Sequence, residues 1–386
     1  MLDKASLTSP PVVLASGALL LLLPFLLIPQ FNGRSKHRPI LALPRLWPRR
    51  RQSSEVVSLR VYPIKSCRGF EVQSTTLREQ GLDLDRRWML VDASTHEFLT
   101  IRQIPHMTRI RTALSADGEE LVITVPLSQD GRSDQTTGAE SRQSDVRTIR
   151  IPSHPSREWL DANTAVSTVT IWSNDTDGYI YTDEINQPFS EFLGRPVALA
   201  YKGPKPRVLR GNGDPKLLGR TQSTGFPDVC PILIASEASL AELNTRLQSQ
   251  DLDPITIERF RPNIIVRGET PWIEDSWKTV RLRRASASSA SSATGSIPDD
   301  QREPLDVDIV ARCARCQVPN VNPETAVKHK KQPWDTLVSY RRIDEGIKFK
   351  PCFGMLAAPR SEGIVEVGMT LEVLEETDKH RYHTGF

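Results

Sequence analysis

Short runs in which apolar and polar residues alternate recur along most of this chain, and they restrict it to a fold built mainly of strands. VVSLRVYPIKSC opens the series at Val56, with Pro63 ending the run. FEVQSTTL, RRWMLVD, FLTIRQ, RIRTALS and ELVITVP follow, separated by turn residues such as Asp92–Ser94 and Asp117–Gly118. A period of two puts successive side chains on opposite faces, so each run has one face to bury. Short strands at this spacing fit a small β-barrel or a sheet half-domain.

The pattern continues further along. VSTVTIW (166–172) reads as a strand, and NQPFSEFLGRPVALAY has helical spacing followed by a strand. ASLAELNTRLQ (238–248) is the best amphipathic helix, with Ser236 and Glu237 as its start signal. RFRPNIIVRG, WKTVRLR, LDVDIVARC and IVEVGMTLEVLE supply further strands. The polar stretch 128–147 and the Ala/Ser-rich stretch 285–303 have almost no apolar periodicity and read as surface insertions. With 386 residues there is room for roughly two domains. The expected layout is a mainly β (α+β), two-lobed body with halves at 55–200 and 201–386.

The N-terminus carries a different signal. From Ala5 to Gly33 there is no charged residue, and Pro11–Ile28 reads PVVLASGALLLLLPFLLI. An uncharged apolar run of about 20 residues is long enough to cross a bilayer as a helix. A cleaved signal peptide is the alternative; it fits less well, because the preceding residues carry no net positive charge and no small-x-small cleavage site follows. The reading is a tail (1–10), a single membrane-anchor helix (11–31) and a basic linker (32–54). Arg34, Lys36, Arg38, Arg45, Arg49, Arg50 and Arg51 flank the run with no acid among them, which places the body on the cytosolic side. A formal net charge of +3 is too mild to argue for nucleic acid. Five widely spread cysteines do not make a disulfide framework.

Chemistry concentrates in ARCARCQVPNVNPETAV (311–327), where Cys313, Cys316, Arg312 and Arg315 fall within five residues. A thiolate is a soft metal ligand, and neighbouring arginines hold anions. One Cys-x-x-Cys pair alone is weak, since zinc sites of this kind use a second pair and none is present. YPIKSCRG adds Lys65 and Ser66 just after a strand, LDRRWM adds Arg86 at a strand start, and RFRPNI sets Arg261 and Asn263 two apart, on one face of a strand. Several cationic and amide donors with one soft thiolate suit an anionic, metal-bearing cofactor.

YPIKSCRGF, GLDLDRRWMLVD, TIRQIPHM, FPDVCPILIASEASLAELNTRL, FRPNIIV, ARCARCQVPNVNPETA and WDTLVSYRR together resemble the MOSC domain proteins, and within them the membrane-anchored amidoxime-reducing components. The resemblance runs from Leu59 to Val373 with the motifs in order. It implies a MOSC N-terminal β-rich domain packed with a MOSC β-barrel. Cys316 matches the thiolate that ligates molybdenum, so the implied cofactor is molybdenum–molybdopterin. Arg315, Lys65, Ser66, Arg86, Arg261 and Asn263 match positions that hold that cofactor. Asp228, Val229 and Cys230 match a loop lining its site, with Asp228 a candidate proton relay. Cys230 stands where relatives often have a small hydroxyl residue, and Leu356 where they contribute a polar aromatic contact; Cys313 is not expected to be a ligand.

The activity implied is reduction of N-hydroxylated compounds, amidoximes and hydroxylamines, to amidines or amines. No dinucleotide fingerprint or iron–sulfur cysteine set occurs in the chain. Electrons are therefore expected from a partner, and the resemblance implies that NADH supplies them through cytochrome b5 reductase and cytochrome b5. The implied location is the mitochondrial outer membrane, with the endoplasmic reticulum as the other option. Two other readings stay open. One is a sulfur-carrying or cofactor-handling protein with a persulfide on Cys316, although such sulfurases carry a pyridoxal-phosphate domain upstream and only anchor and linker precede Val56. The other is a non-enzymatic, membrane-tethered scaffold.

Overall fold

The computed structural model describes residues 52–129, 145–284 and 303–385. Residues 50–386 form one unit. The anchor expected at 11–31 and most of both polar insertions lie outside the described residues. No described helix is long and apolar enough to cross a membrane.

Seven strands close into a barrel. Around it run Ile264–Val266, Ile232–Ser236, Cys352–Pro359, Leu305–Ala314, Trp277–Arg283, Thr370–Glu376 and Ser53–Val61, which returns to pair with Ile264–Val266. All neighbours are antiparallel except Ile232–Ser236 with Ile264–Val266, which are parallel. Closure is long-range: Val56 faces Val266 and Leu59 faces Ile264, with a register shift between Val56 and Ser58. A closed sheet leaves no edge for another chain to pair with. Burial alternates as the sequence period predicts, and Leu305, Val307, Ile309 and Ala311 all point inward on their strand. Val56, Leu59, Ile234, Ile264, Val280 and Met355 meet in the same core.

A four-stranded antiparallel sheet runs Trp88–Asp92, Val197–Lys202, Asn174–Tyr181, Thr164–Ile171. The helix Asp183–Leu193 packs on it. Buried Asn186 ties the helix to two strands, donating to the Tyr181 carbonyl (2.7 Å) and accepting from the Leu199 N–H (2.8 Å). Gly194 ends the helix in a left-handed conformation, φ 67°, open to glycine without steric penalty. The helix Glu237–Gln248 starts at Ser236, whose hydroxyl accepts from the Ser239 N–H.

Three local expectations change. The more strongly one-sided helix is Asp183–Leu193, which buries Phe189, Phe192 and Leu193, rather than the segment after Ser236. FLTIRQ is not a strand: within it only Phe98 makes an isolated bridge, to Val91. The Gln103 side-chain oxygen accepts from both the backbone N–H and the hydroxyl of Thr100, folding 100–103 into a turn. Arg261 does not share a strand face with Asn263: it sits at φ 58° at the end of the short helix Ile257–Phe260, and the strand begins only at Ile264.

Candidate functional site

Loops from both ends of the chain enclose a cavity of about 470 Å³. Lys65 and Ser66 reach it from the turn after Ser53–Val61, and Arg86 from the turn before Trp88–Asp92. Asp228, Val229 and Cys230 come from the segment leading into Ile232–Ser236, and Arg261 and Asn263 from the turn before Ile264–Val266. Arg315 and Cys316 follow the end of Leu305–Ala314. The structure thus gathers all ten residues singled out from separate motifs. Leu356 and Cys313 line the same space.

Backbone conformation marks the cavity too. Ser66 (φ 73°), Arg86 (φ 49°), Trp172 (φ 50°) and Arg261 (φ 58°) are left-handed without being glycine, and all four line it. Such conformations are unfavourable for L-residues and persist where surrounding contacts impose them.

The deep wall is held together by many internal bonds. Asn263 is 1% exposed; its side-chain oxygen accepts from the Leu233 N–H (3.1 Å) and its amide donates to the Arg60 carbonyl (3.3 Å). Arg86 pairs with buried Asp85, donates to Asn263 Oδ1 (3.3 Å) and to the Arg261 carbonyl (3.1 Å). Arg86 and Arg261 both lie over the ring of buried Tyr62, at 5.0 and 4.3 Å. Arg315 is buried, donating to the Phe260 carbonyl (2.9 Å) and to Cys313 Sγ (3.1 Å) rather than to Cys316.

Charge is one-sided. Lys65, Arg86, Arg102, Arg261, Arg315 and Lys350 line the cavity against the single carboxylate of Asp228. Lys65 is 5% exposed, donates to the Phe226 carbonyl (2.9 Å) and pairs with Asp228. Burial pulls its ammonium down to about 8, against the opposing pull of Asp228. Burial would raise the Asp228 carboxyl, but Lys65, Arg102 and the Trp172 indole N–H (3.0 Å) hold it well below the usual carboxylate range. A carboxylate held ionised in this way accepts hydrogen bonds and is a poor proton donor near neutral pH. Burial pushes the Cys230 thiol up to about 12, so it behaves as a small apolar side chain.

Cys316 is half-buried at the mouth, and Arg102 Nε donates to its Sγ at 3.4 Å. All five cysteines are free thiols. Arg102 and Trp172 were not picked out individually from the sequence, nor were Lys350, Phe260 and Tyr382. Arg102 lay inside the TIRQ motif; Trp172 had no signal beyond ending a strand-like run.

The cavity residues fit an anionic organic group carrying a metal. Arg261 Nη2 and Arg315 Nε are buried donors without a protein partner, and an unpartnered buried donor is unfavourable unless something accepts from it. Among the described residues no group of three His, Cys, Asp or Glu side chains converges.

A closed barrel beside a cationic cavity with the Cys316 thiol at its mouth sets the class of protein, and comparison identifies the family. Residues 53–196 match the MOSC N-terminal beta barrel domain, and residues 221–372 match the MOSC domain. The chain is 30% identical over 341 residues to the mitochondrial amidoxime reducing component 2 of Homo sapiens, covering 84% of this chain and 86% of that one. It is 30% identical over 317 residues to a molybdenum cofactor sulfurase of Oryza sativa subsp. japonica and 32% identical over 305 residues to one of Arabidopsis thaliana, covering 78% and 76% of this chain. It spans 32% of the length of either sulfurase. The chain belongs to the MOSC domain family.

Proposed function

We propose that this protein is a molybdenum-cofactor oxidoreductase that reduces N-hydroxylated compounds to amidines or amines. The observation that carries the reading is the convergence of a half-buried thiol, Cys316, which Arg102 contacts at the mouth, with a wall of buried cations that retains unpartnered donors. Lys65, Ser66, Arg86, Arg261 and Arg315 would hold the molybdopterin and its phosphate, and Cys316 would be the protein's ligand to molybdenum. Asn263, Val229 and Cys230 shape the wall around it. When bound, the cofactor supplies two-electron redox chemistry and exchange of an oxygen atom.

The chain's own residues bind and orient. Guanidinium forks and the Lys65 ammonium match phosphate oxygens by charge and geometry. Asp228 aligns Lys65 and Arg102 and keeps both charged groups at the cavity edge. Held ionised well below the usual carboxylate range, it is a weak base as well as a poor acid, so its part is to orient these cations rather than to relay a proton. Electrons come from NADH through cytochrome b5 reductase and cytochrome b5. Residues 11–31 anchor the chain in the mitochondrial outer membrane with the body facing the cytosol. The extent and identity of the human relative support this reading.

The test is the full-length chain, expressed in a host that makes the cofactor, with molybdenum counted per chain. Wild type is expected to hold about one metal and to reduce an amidoxime with cytochrome b5 as donor. Cys316→Ala is expected to lose reduction while its melting temperature stays unchanged; full activity in that variant sinks the assignment. The similarity to sulfurases favours one second reading, sulfur carriage on Cys316. A persulfide on that residue with no reductase activity would select it, and a wild type free of molybdenum and of persulfide would leave a scaffold.

A further inference from the structure

Two residues at the mouth are placed with more care than lining a cavity requires. Trp172 and Ser173 are the two central residues of the hairpin joining Thr164–Ile171 to Asn174–Tyr181, with Ile171 opposite Asn174. Both are left-handed, φ 50° and 58°, in a turn that ordinarily takes Asn-Gly. A tryptophan there is a poor choice for making a turn, so its side chain is what the position presents. Its ring packs on Phe98 with centroids 4.9 Å apart, and its indole N–H donates to Asp228.

Arg102 lies over that ring, with its guanidinium carbon 4.5 Å from the centroid. The turn that carries it is pinned on both sides, by Gln103 to Thr100 and by the Ile101 N–H to the Ser66 hydroxyl. Nε donates to Cys316 Sγ and Nη2 to Asp228 Oδ2, both at 3.4 Å. Neither bond engages Nη1, and the side chain is 35% exposed at the mouth. A rigid, solvent-reached donor therefore stands beside the sulfur.

We propose that Arg102, held flat by Trp172, recognises the substrate's N–O oxygen and makes the site select an N-hydroxylated compound over the same compound without that oxygen. The inference rests on the reduction proposed above and names the residue that reads its substrate. A site that donates to a substrate oxygen loses that bond when the oxygen is missing, and with solvent reaching Arg102 the discrimination against the reduced form is about the worth of one charged hydrogen bond. The product of amidoxime reduction is such a form. It is also a protonated amidine at neutral pH, and the guanidinium repels it, so recognition and product release come from the same group.

The experiment titrates the full-length, cofactor-loaded chain with an aromatic amidoxime and, separately, with its matching amidine, reading binding by calorimetry. Wild type is expected to prefer the amidoxime by about tenfold or more. Arg102→Gln should weaken the amidoxime about tenfold and bind the amidine as well as wild type or more tightly, since the repelling charge is gone, with molybdenum per chain retained and the loss in turnover falling mainly on KM. Arg102→Lys, with charge but no planar fork, should restore only part of the preference. Trp172→Phe should keep the preference and Trp172→Leu should lose most of it. Equal weakening of both ligands in Arg102→Gln, an unchanged preference, or loss of molybdenum would overturn the proposal. A wild type with no metal and no reductase activity would defeat the proposed function. The same titration run on that chain as purified still decides this inference, for it if the preference exists and vanishes in Arg102→Gln, against it if wild type shows none.

Discussion

The wall and the mouth of the cavity are made of the same residue types under opposite conditions. In the wall, Asn263, Arg86 and Arg315 are joined to backbone carbonyls, backbone N–H groups and one buried carboxylate, so most of their capacity goes into holding strands and turns together. At the mouth, Arg102, Asp228 and Cys316 are partly exposed and tied mainly to each other and to Trp172. Groups bonded into the frame set the shape of a site, while groups bonded to one another at a wet edge can exchange those bonds for a ligand. Removing a wall residue should therefore cost stability, and changing a mouth residue should alter binding or rate in a chain that still folds.

The largest expected break in the wall is Asp85→Asn. Asp85 is 3% exposed, accepts from the Tyr62 N–H (2.9 Å) and pairs with Arg86. Neutralising it leaves a buried guanidinium without its counter-charge, at a cost of about 3 kcal/mol in unfolding free energy measured with denaturant. If Asp85→Asn and Cys316→Ala proved equally stable, the distinction between wall and mouth would fail.

Lys65 joins the two regions and gives a smaller effect that depends on pH. Burial brings its ammonium from the ordinary 10.5 down to about 8. Between those values the unfolded chain holds a proton that the folded chain has lost, so stability rises with pH across that window. Wild type should gain on Lys65→Met in unfolding free energy from about pH 8 to 10.5 and run parallel to it from pH 7 to 8. A gap that narrows over the upper window would show that the ion pair with Asp228 outweighs burial.

The smallest effect is at the tip of the mouth. Ser173 is exposed and left-handed, so Ser173→Gly should relieve turn strain and raise stability by up to about 1 kcal/mol. Amidoxime binding should stay unchanged as long as Trp172 keeps its place. A stabilised chain with weakened binding would show that Ser173 itself helps to hold the indole against Arg102.

The period of two along VVSLRV, LDVDIVARC and WKTVRLR determined by itself that these segments are strands and which side chains turn inward, because alternation of faces is a property of a single strand. Residue type likewise determined the candidate chemistry: one loop carries the thiol and its neighbouring arginines, and the other motifs carry Lys65, Arg86 and Arg261. Tertiary structure alone decided which strands pair. Ser53–Val61 closes the barrel on Ile264–Val266 across some two hundred residues, and a hydrophobic pattern names no partner at that distance. Tertiary contacts also decided the backbone at the site. FLTIRQ alternates like a strand but is folded back by Gln103, and Arg261 is turned off the strand that its spacing suggested. Trp172 reads as the last residue of a strand, and only the hairpin that carries it to Asp228 and Arg102 makes it part of the mouth. Local periodicity records what a segment can bury, whereas turn conformation and long-range pairing depend on the surfaces it meets when the chain closes.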